Sequence, residues 1–187
     1  MWFGRFAKRR VRDLVFLDEF GANTKMQRTH GRAAPGERVV ARVPHGHYLS
    51  ISTIAVLSTR GVIASASFSG GTTAVKFIDF VSRRLVPVLR KGQVLVLDNL
   101  PAHKDQRVDE LVQAVGCSVM RLPPYSPDFN PIENAISKVK TVLRKLARRK
   151  VPALLRGIKA ALRSVTPKDA QHFFSHCGYG TKRRKTL

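Results

Sequence analysis

Val94-Leu95-Val96-Leu97-Asp98-Asn99 is the stretch that decides the architecture. Four apolar residues in a row, without polar alternation, suit a strand buried on both faces, as in α/β sheets covered by helices. Lys91-Gly92 turns the chain into it, which predicts a strand over 93–98. Downstream, Pro101 to Val115 places Val108, Leu111, Val112 and Val115 on one helical face, and Cys117 to Leu122 reads as the next strand. Strand, helix, strand in that order implies a crossover of parallel type. Upstream, Thr72 or Thr73 caps a helix carrying Phe77, Phe80, Val81 and Leu85 that ends near Pro87. Before it, residues 47–57 and 62–68 are apolar and β-branched around Arg60-Gly61, the pattern of a hairpin, and a first strand is read at about 13–18.

The rest of the chain is basic and partly helical. Residues 1–12 carry Arg5, Lys8, Arg9, Arg10 and Arg12 without an apolar period and read as a lead-in; 21–37 reads as a loop. A long helix is predicted at 131–149, further helical pieces at 152–163 and 167–175, and a basic tail at Lys182-Arg183-Arg184-Lys185. The expected division is a lead-in (1–12), a main α/β domain (13–150) and a basic helical extension (151–187). With 34 basic against 12 acidic residues, the net charge of +22 points to a polyanion partner, and nucleic acid fits best. No apolar run reaches the roughly 18 residues of a membrane span. Cys117 and Cys177 lack metal-ligand spacing and read as reduced, uninvolved thiols.

In so basic a chain, acids at strand ends need a reason. Asp18 closes the run Leu14-Val15-Phe16-Leu17, and Asp98 closes 94–97. Either alone suits a turn or a helix cap, whereas two on central strands suit one crevice at their carboxyl ends. Glu133 follows Pro123-Pro124-Tyr125-Ser126-Pro127-Asp128-Phe129-Asn130-Pro131-Ile132. Asn130 as N-cap and Pro131 at the first helical position would put Glu133 in a capping box, so cap and metal ligand both stand. Ile132, Ile136, Val139, Leu143 and Leu146 form a core stripe at helical spacing. Glu133, Ser137, Lys140, Arg144 and Arg148 form a second stripe that turns from acidic to basic, as a metal site with a DNA track would; a solvated face is the competing reading. Three convergent carboxylates in a basic protein point to divalent cations acting on a phosphodiester.

Three blocks resemble the catalytic domain of DDE transposases of the mariner-like superfamily, in its bacterial insertion-sequence branch. They are Leu17-Asp18-Glu19, Leu97-Asp98-Asn99 with His103 beyond, and Pro123-Pro124-Tyr125-Ser126-Pro127 through Asn130-Pro131-Ile132-Glu133. The 34 residues between Asp98 and Glu133 match the spacing of that branch, and the resemblance covers about 12–150, more loosely reaching Cys177-Gly178-Tyr179. It implies an RNase H-like α/β fold, a mixed five-stranded sheet with its first three strands antiparallel, flanked by helices. It also implies Asp18, Asp98 and Glu133 as the triad holding two Mg²⁺ ions, with Mn²⁺ able to substitute. The implied reaction is DNA cleavage and strand transfer on transposon ends and target, by a homodimer assembled on DNA in the bacterial cytoplasm, at the nucleoid. The chain departs from the family pattern at Phe20, where a small residue is usual, and at Ile136, where an aromatic is common.

Relatives carry a helix-turn-helix region ahead of this domain, and 17 residues before Asp18 are too few for one. The expectation is a separate helix-turn-helix polypeptide, or else a remnant reading frame. A nuclease that cuts without joining, and an inactive DNA-binding remnant, are the competing functions. Around the triad, Lys25, Arg28, Arg32, Arg38 and Arg42 are read as phosphate contacts. Lys140, Arg144 and Arg148 are read as a backbone track along the helix. Asn99 and His103 are placed at the DNA, with His103 holding the scissile phosphate or a water, or else standing near a helix start. Tyr125 stacks on a base or packs on its neighbouring prolines. His172 and His176, at i,i+4, are a metal pair or plain helix-surface residues.

Overall fold

Two long apolar strands, β1 (Leu14–Asn23) and β4 (Val94–Leu97), lie side by side and parallel at the centre of a five-stranded sheet. The computed structural model describes residues 2–6, 9–42, 44–124 and 126–180. The sheet order is β3-β2-β1-β4-β5, with β2 at Ser50–Ser58, β3 at Gly61–Ser69 and β5 at Ser118–Arg121. β1 pairs antiparallel with β2 and β2 with β3, while β4 and β5 are parallel. The expected mixed sheet, its first three strands antiparallel, is therefore the one that forms. Gly61 turns the β2–β3 hairpin at φ +102°, and a Cβ there would come within 2.8 Å of the Val165 carbonyl, so only glycine fits.

Strand alternation divides the core into two layers. Leu14, Phe16 and Phe20 of β1, with Val94 and Val96 of β4, face α3 (Pro131–Leu146), α4 (Val151–Arg163) and α5 (Pro167–His176). Val15, Leu17, Leu95 and Leu97 face the opposite layer, made by α1 (Ala74–Phe80) and α2 (Gln106–Ala114). Phe20 and Ile136, the two departures from the family pattern, are both buried in the first layer. Truncating a fully buried Phe such as Phe16 would cost about 3–5 kcal/mol.

Three elements differ from their predicted extents, each for a local reason. β1 runs on to Asn23 because Ser50 to Leu57 pair along it, which leaves 24–49 as the loop. The helix read over Pro101–Val115 is interrupted: Pro101–Lys104 is a 3-10 turn, and Asp105 caps α2 by accepting from the Arg107 amide. α3 stops at Leu146 instead of 149, because Ala147 takes a left-handed conformation (φ 46°) that turns the chain into α4. The ends of the described chain also meet. Trp2, in the segment read as a basic lead-in, is buried and donates to the Tyr179 hydroxyl at 2.8 Å. That hydroxyl donates in turn to the Phe129 carbonyl at 2.8 Å.

Candidate active site

By strand parity Asp18 continues the row of Leu14 and Phe16, and Asp98 that of Val94 and Val96, so both acids belong to the layer that α3 covers. Glu133 stands in the first turn of that helix. All three line one cleft of about 570 Å³, walled by Asn99, Leu100 and Lys104 on one side and by Leu122 to Pro124, Ser126 and Pro127 on the other. Tyr125 lies outside the described residues, as does the tail from 181 onward.

Asn130 ties the cleft together. Its side chain is not used as a helix cap; its amide donates to Asp18 Oδ2 at 3.0 Å, and its backbone N–H goes to the Pro127 carbonyl. No capping box forms at α3. Asn130 Oδ1 is buried without a partner among the described residues. An orphaned oxygen beside three carboxylates is a donor set of hard oxygens, the kind that suits Mg²⁺ or Mn²⁺. No three His, Cys, Asp or Glu side chains among the described residues are already gathered to ligand distance. The carboxylates line the cleft wall around open space, and their mutual repulsion is what a cation would relieve.

That repulsion shows in the acidities. Burial, with the negative charges of Asp98, Glu133 and Glu19, pushes the Asp18 carboxyl up to about 6, against the lowering effect of the Glu19 amide at 2.7 Å. Glu133 is also raised, by burial and by Asp128 and Asp98, while Asn130 and Lys140 pull it down. Burial raises Asp98 too, but hydrogen bonds from His103 and the Leu100 amide outweigh it and leave Asp98 below the usual range. Burial would lower His103, yet Asp98 and Glu19 more than reverse this and carry it to about 9.

His103 corrects an expectation. It is fully buried, with Nδ1 2.5 Å from Asp98 Oδ1 and Nε2 3.4 Å from Glu19 Oε1, so both ring nitrogens are taken up by carboxylates and neither is open to solvent. Asn99 spends its amide on the Leu122 carbonyl at 2.6 Å while lining the cleft. Arg28 and Arg32 meet Arg144 and Lys145 around a second hollow of about 700 Å³, with Thr29, His30 and Thr141. Lys140 stands between the two hollows on α3, close enough to Glu133 to pull its pKa down. Arg38 and Arg42 are exposed on the 24–49 loop, and Lys25 sits over the Tyr48 ring. Arg148 is a second correction: it lies past the end of α3, off the predicted stripe, against α4 beside Gly157 and Arg156. His172 and His176 are exposed on α5 with no third ligand among the described residues, as the helix-surface reading has it. Both cysteines are buried and free. Sequence reading took Asn130 only as a cap and left Glu19 without a role; the adjacency of Glu19 to Asp18 was the one signal available.

The family model described as DDE superfamily endonuclease matches residues 13–154. The chain belongs to this superfamily. Among solved structures, it is similar to the Mos1 transposase paired-end complex with left transposon end (15% identity, TM-score 0.77), covering 94% of this chain and 55% of that one. It is also similar to the mariner Mos1 paired-end complex with Mg (15%, TM-score 0.74, 94% and 56%) and to the Mos1 strand transfer complex (16%, TM-score 0.72, 94% and 55%). At such identities the likeness is one of fold, the RNase H-like fold, and the chain spans about half the length of these relatives. No curated protein matches the sequence. Within this DDE endonuclease, no described helix is long and apolar enough to cross a membrane.

Proposed function

We propose that this DDE endonuclease is the catalytic domain of a transposase that cleaves DNA at transposon ends and joins them to target DNA. The observation that carries the proposal is the convergence of Asp18, Asp98 and Glu133, from β1, the end of β4 and α3, on a single cleft. In this reading, residues 13–150 are the catalytic unit and 151–187 a basic helical extension, whose described part, to residue 180, packs on it. Two Mg²⁺ ions, replaceable by Mn²⁺, would activate the attacking oxygen and stabilise the leaving one there. Asp18 and Asp98 would hold them from the sheet and Glu133 from the helix. The hollow of Arg28, Arg32, Arg144 and Lys145 binds phosphates flanking the scissile bond, and Lys140 leads from it to the cleft. The relatives in paired-end complexes support a homodimer assembled on two DNA ends, and the 34-residue spacing supports the bacterial insertion-sequence branch and a place at the nucleoid.

The test is incubation with labelled terminal-repeat DNA, target plasmid and Mg²⁺, resolving cut from joined products. Wild-type protein is expected to give both, and Asp98→Asn neither. Cutting without joining would make this a plain nuclease. Metal-indifferent DNA binding with no cutting would make it a binding remnant.

A further inference from the structure

We propose that His103 is a positioning residue that holds Asp98, with Glu19 as its anchor, in the orientation needed to take a metal ion. The inference rests on the triad reading above. His103 has no solvent exposure, and both ring nitrogens are engaged by carboxylates from different strands. Its ring lies 4.3 Å from that of Phe77, tilted by 32°, which restricts rotation of the imidazole. Its backbone is fixed independently: Arg121 Nη2 donates to the His103 carbonyl at 2.8 Å while reaching Asp109 at 3.0 Å.

The consequence falls on one oxygen of Asp98. Both His103 Nδ1 and the Leu100 amide bond Oδ1, leaving Oδ2 without a protein partner among the described residues. A doubly held Oδ1 fixes the carboxylate plane, so that the other oxygen is offered to the cleft without a rotational search. Partners behind a metal ligand work in this way, orienting it and tuning its basicity. Glu19 supplies the far end: with a carboxylate accepting at each nitrogen, the ring is the doubly protonated imidazolium, its Nδ1–H facing Asp98 and its Nε2–H facing Glu19. A buried histidine without this bridge would have no reason to lie between two acids.

Two substitutions separate positioning from packing, because both delete the ring from its place on Phe77. His103→Asn keeps a donor near the Nδ1 position and so the bond to Asp98; His103→Gln keeps one near Nε2 and loses it. The full chain, without DNA, is titrated with Mn²⁺ by calorimetry, and each variant is melted without metal. His103→Gln is expected to weaken Mn²⁺ binding roughly 10–100-fold, the usual effect of losing a partner behind a ligand, while His103→Asn restores most of it. The two variants should melt together. Proton NMR of the wild type should also show a slowly exchanging imidazole N–H that disappears in Asp98→Ala. Equal Mn²⁺ affinities for the two variants, whether wild-type-like or equally weak, would overturn the role of His103. A wild-type chain that takes up no Mn²⁺ would instead overturn the triad reading itself, and this inference with it.

Discussion

Asp18→Asn should inactivate the enzyme and yet stabilise it. In the metal-free fold the Asp18 carboxyl is raised from 3.8 to about 6, so its ionised form is disfavoured by burial and by three neighbouring acids. At pH 8 this costs the folded chain about 3 kcal/mol relative to the unfolded one, at 1.36 kcal/mol per pH unit. Because part of the carboxyl meets solvent, that value is an upper bound. Asparagine removes the charge and keeps the shape. Its oxygen can still accept from the Glu19 amide, and its new NH₂ would face the Asn130 NH₂. Asn130 can answer by turning its amide over, which uses its unpartnered Oδ1 and gives up the bond that its NH₂ makes toward Glu133. The expected result at pH 8 without metal is a higher Tm, by at most roughly 6–12 °C at about 2–4 °C per kcal/mol for a domain of this size. The sign follows from a folded-state pKa raised above the unfolded one. Protonated Asp18 causes no penalty, so the variant's advantage vanishes below about pH 4 and is complete above about pH 6. Mg²⁺ should raise the wild-type Tm and leave the variant's unchanged. Calorimetric melting across pH 4–8, with and without Mg²⁺, reads all of this. A variant that melts below the wild type at pH 8, or keeps its metal-induced rise, refutes the argument that Asp18 is a strained ligand.

Glu133→Gln should abolish cleavage with Tm unchanged, because no capping bond is lost at α3; a lower Tm with cleavage retained would make Glu133 structural. Replacing Arg28, Arg32 and Arg144 together with Gln should reduce the slope of log affinity against log salt by roughly one per phosphate contact removed. An unchanged slope in fluorescence anisotropy titrations would route the DNA elsewhere. The same triple change made with Arg148 in place of Arg144 should flatten the slope less, since Arg148 lies off the hollow against α4. Ala147→Gly should stabilise the fold by about 1 kcal/mol, because glycine carries no Cβ penalty in the left-handed position ending α3. A Tm that does not rise would show that Ala147 bears no strain.

The sheet was legible because its signals are short-range. Apolar runs, turn residues and the hairpin at Arg60-Gly61 each report on a few neighbours, and long strands between recognisable turns leave few possible topologies. The three acids proposed as the triad stand out for a related reason: each ends or begins an element whose own pattern is strong. What escaped the reading depended on contacts distant in sequence. Asn130 has the residue type and position of an N-cap, and only the closeness of Asp18, across 112 residues, redirects its side chain. His103 sits at a helix start in sequence, and its burial follows from Phe77, Glu19 and Asp98 converging from three elements. Arg148 fits a straight helix, but Ala147 leaves the helical region where no glycine marks the stop. Trp2 was lost among arginines because Trp2, Phe3 and Phe6 are too short a run to establish a period.

Those long-range contacts share a direction. Trp2 holds the Tyr179 hydroxyl, and Tyr179 holds the carbonyl of Phe129. The next residue, Asn130, touches Asp18, and the helix it opens carries Glu133. On the other flank, Arg121 of β5 grips the backbone of His103, which reaches Asp98 and Glu19. Each carboxylate is thus backed by a side chain from an element other than its own or by the turn that precedes it. A proline-rich segment is stiff within itself but is not thereby fixed to the sheet; the Tyr179 bond supplies that attachment. Three like charges brought together would otherwise push the elements apart, and they add to the burial that raises the pKa of Asp18 and of Glu133. The ordinary core buries the sheet, while this smaller set of polar and aromatic contacts holds the cluster of acids in place.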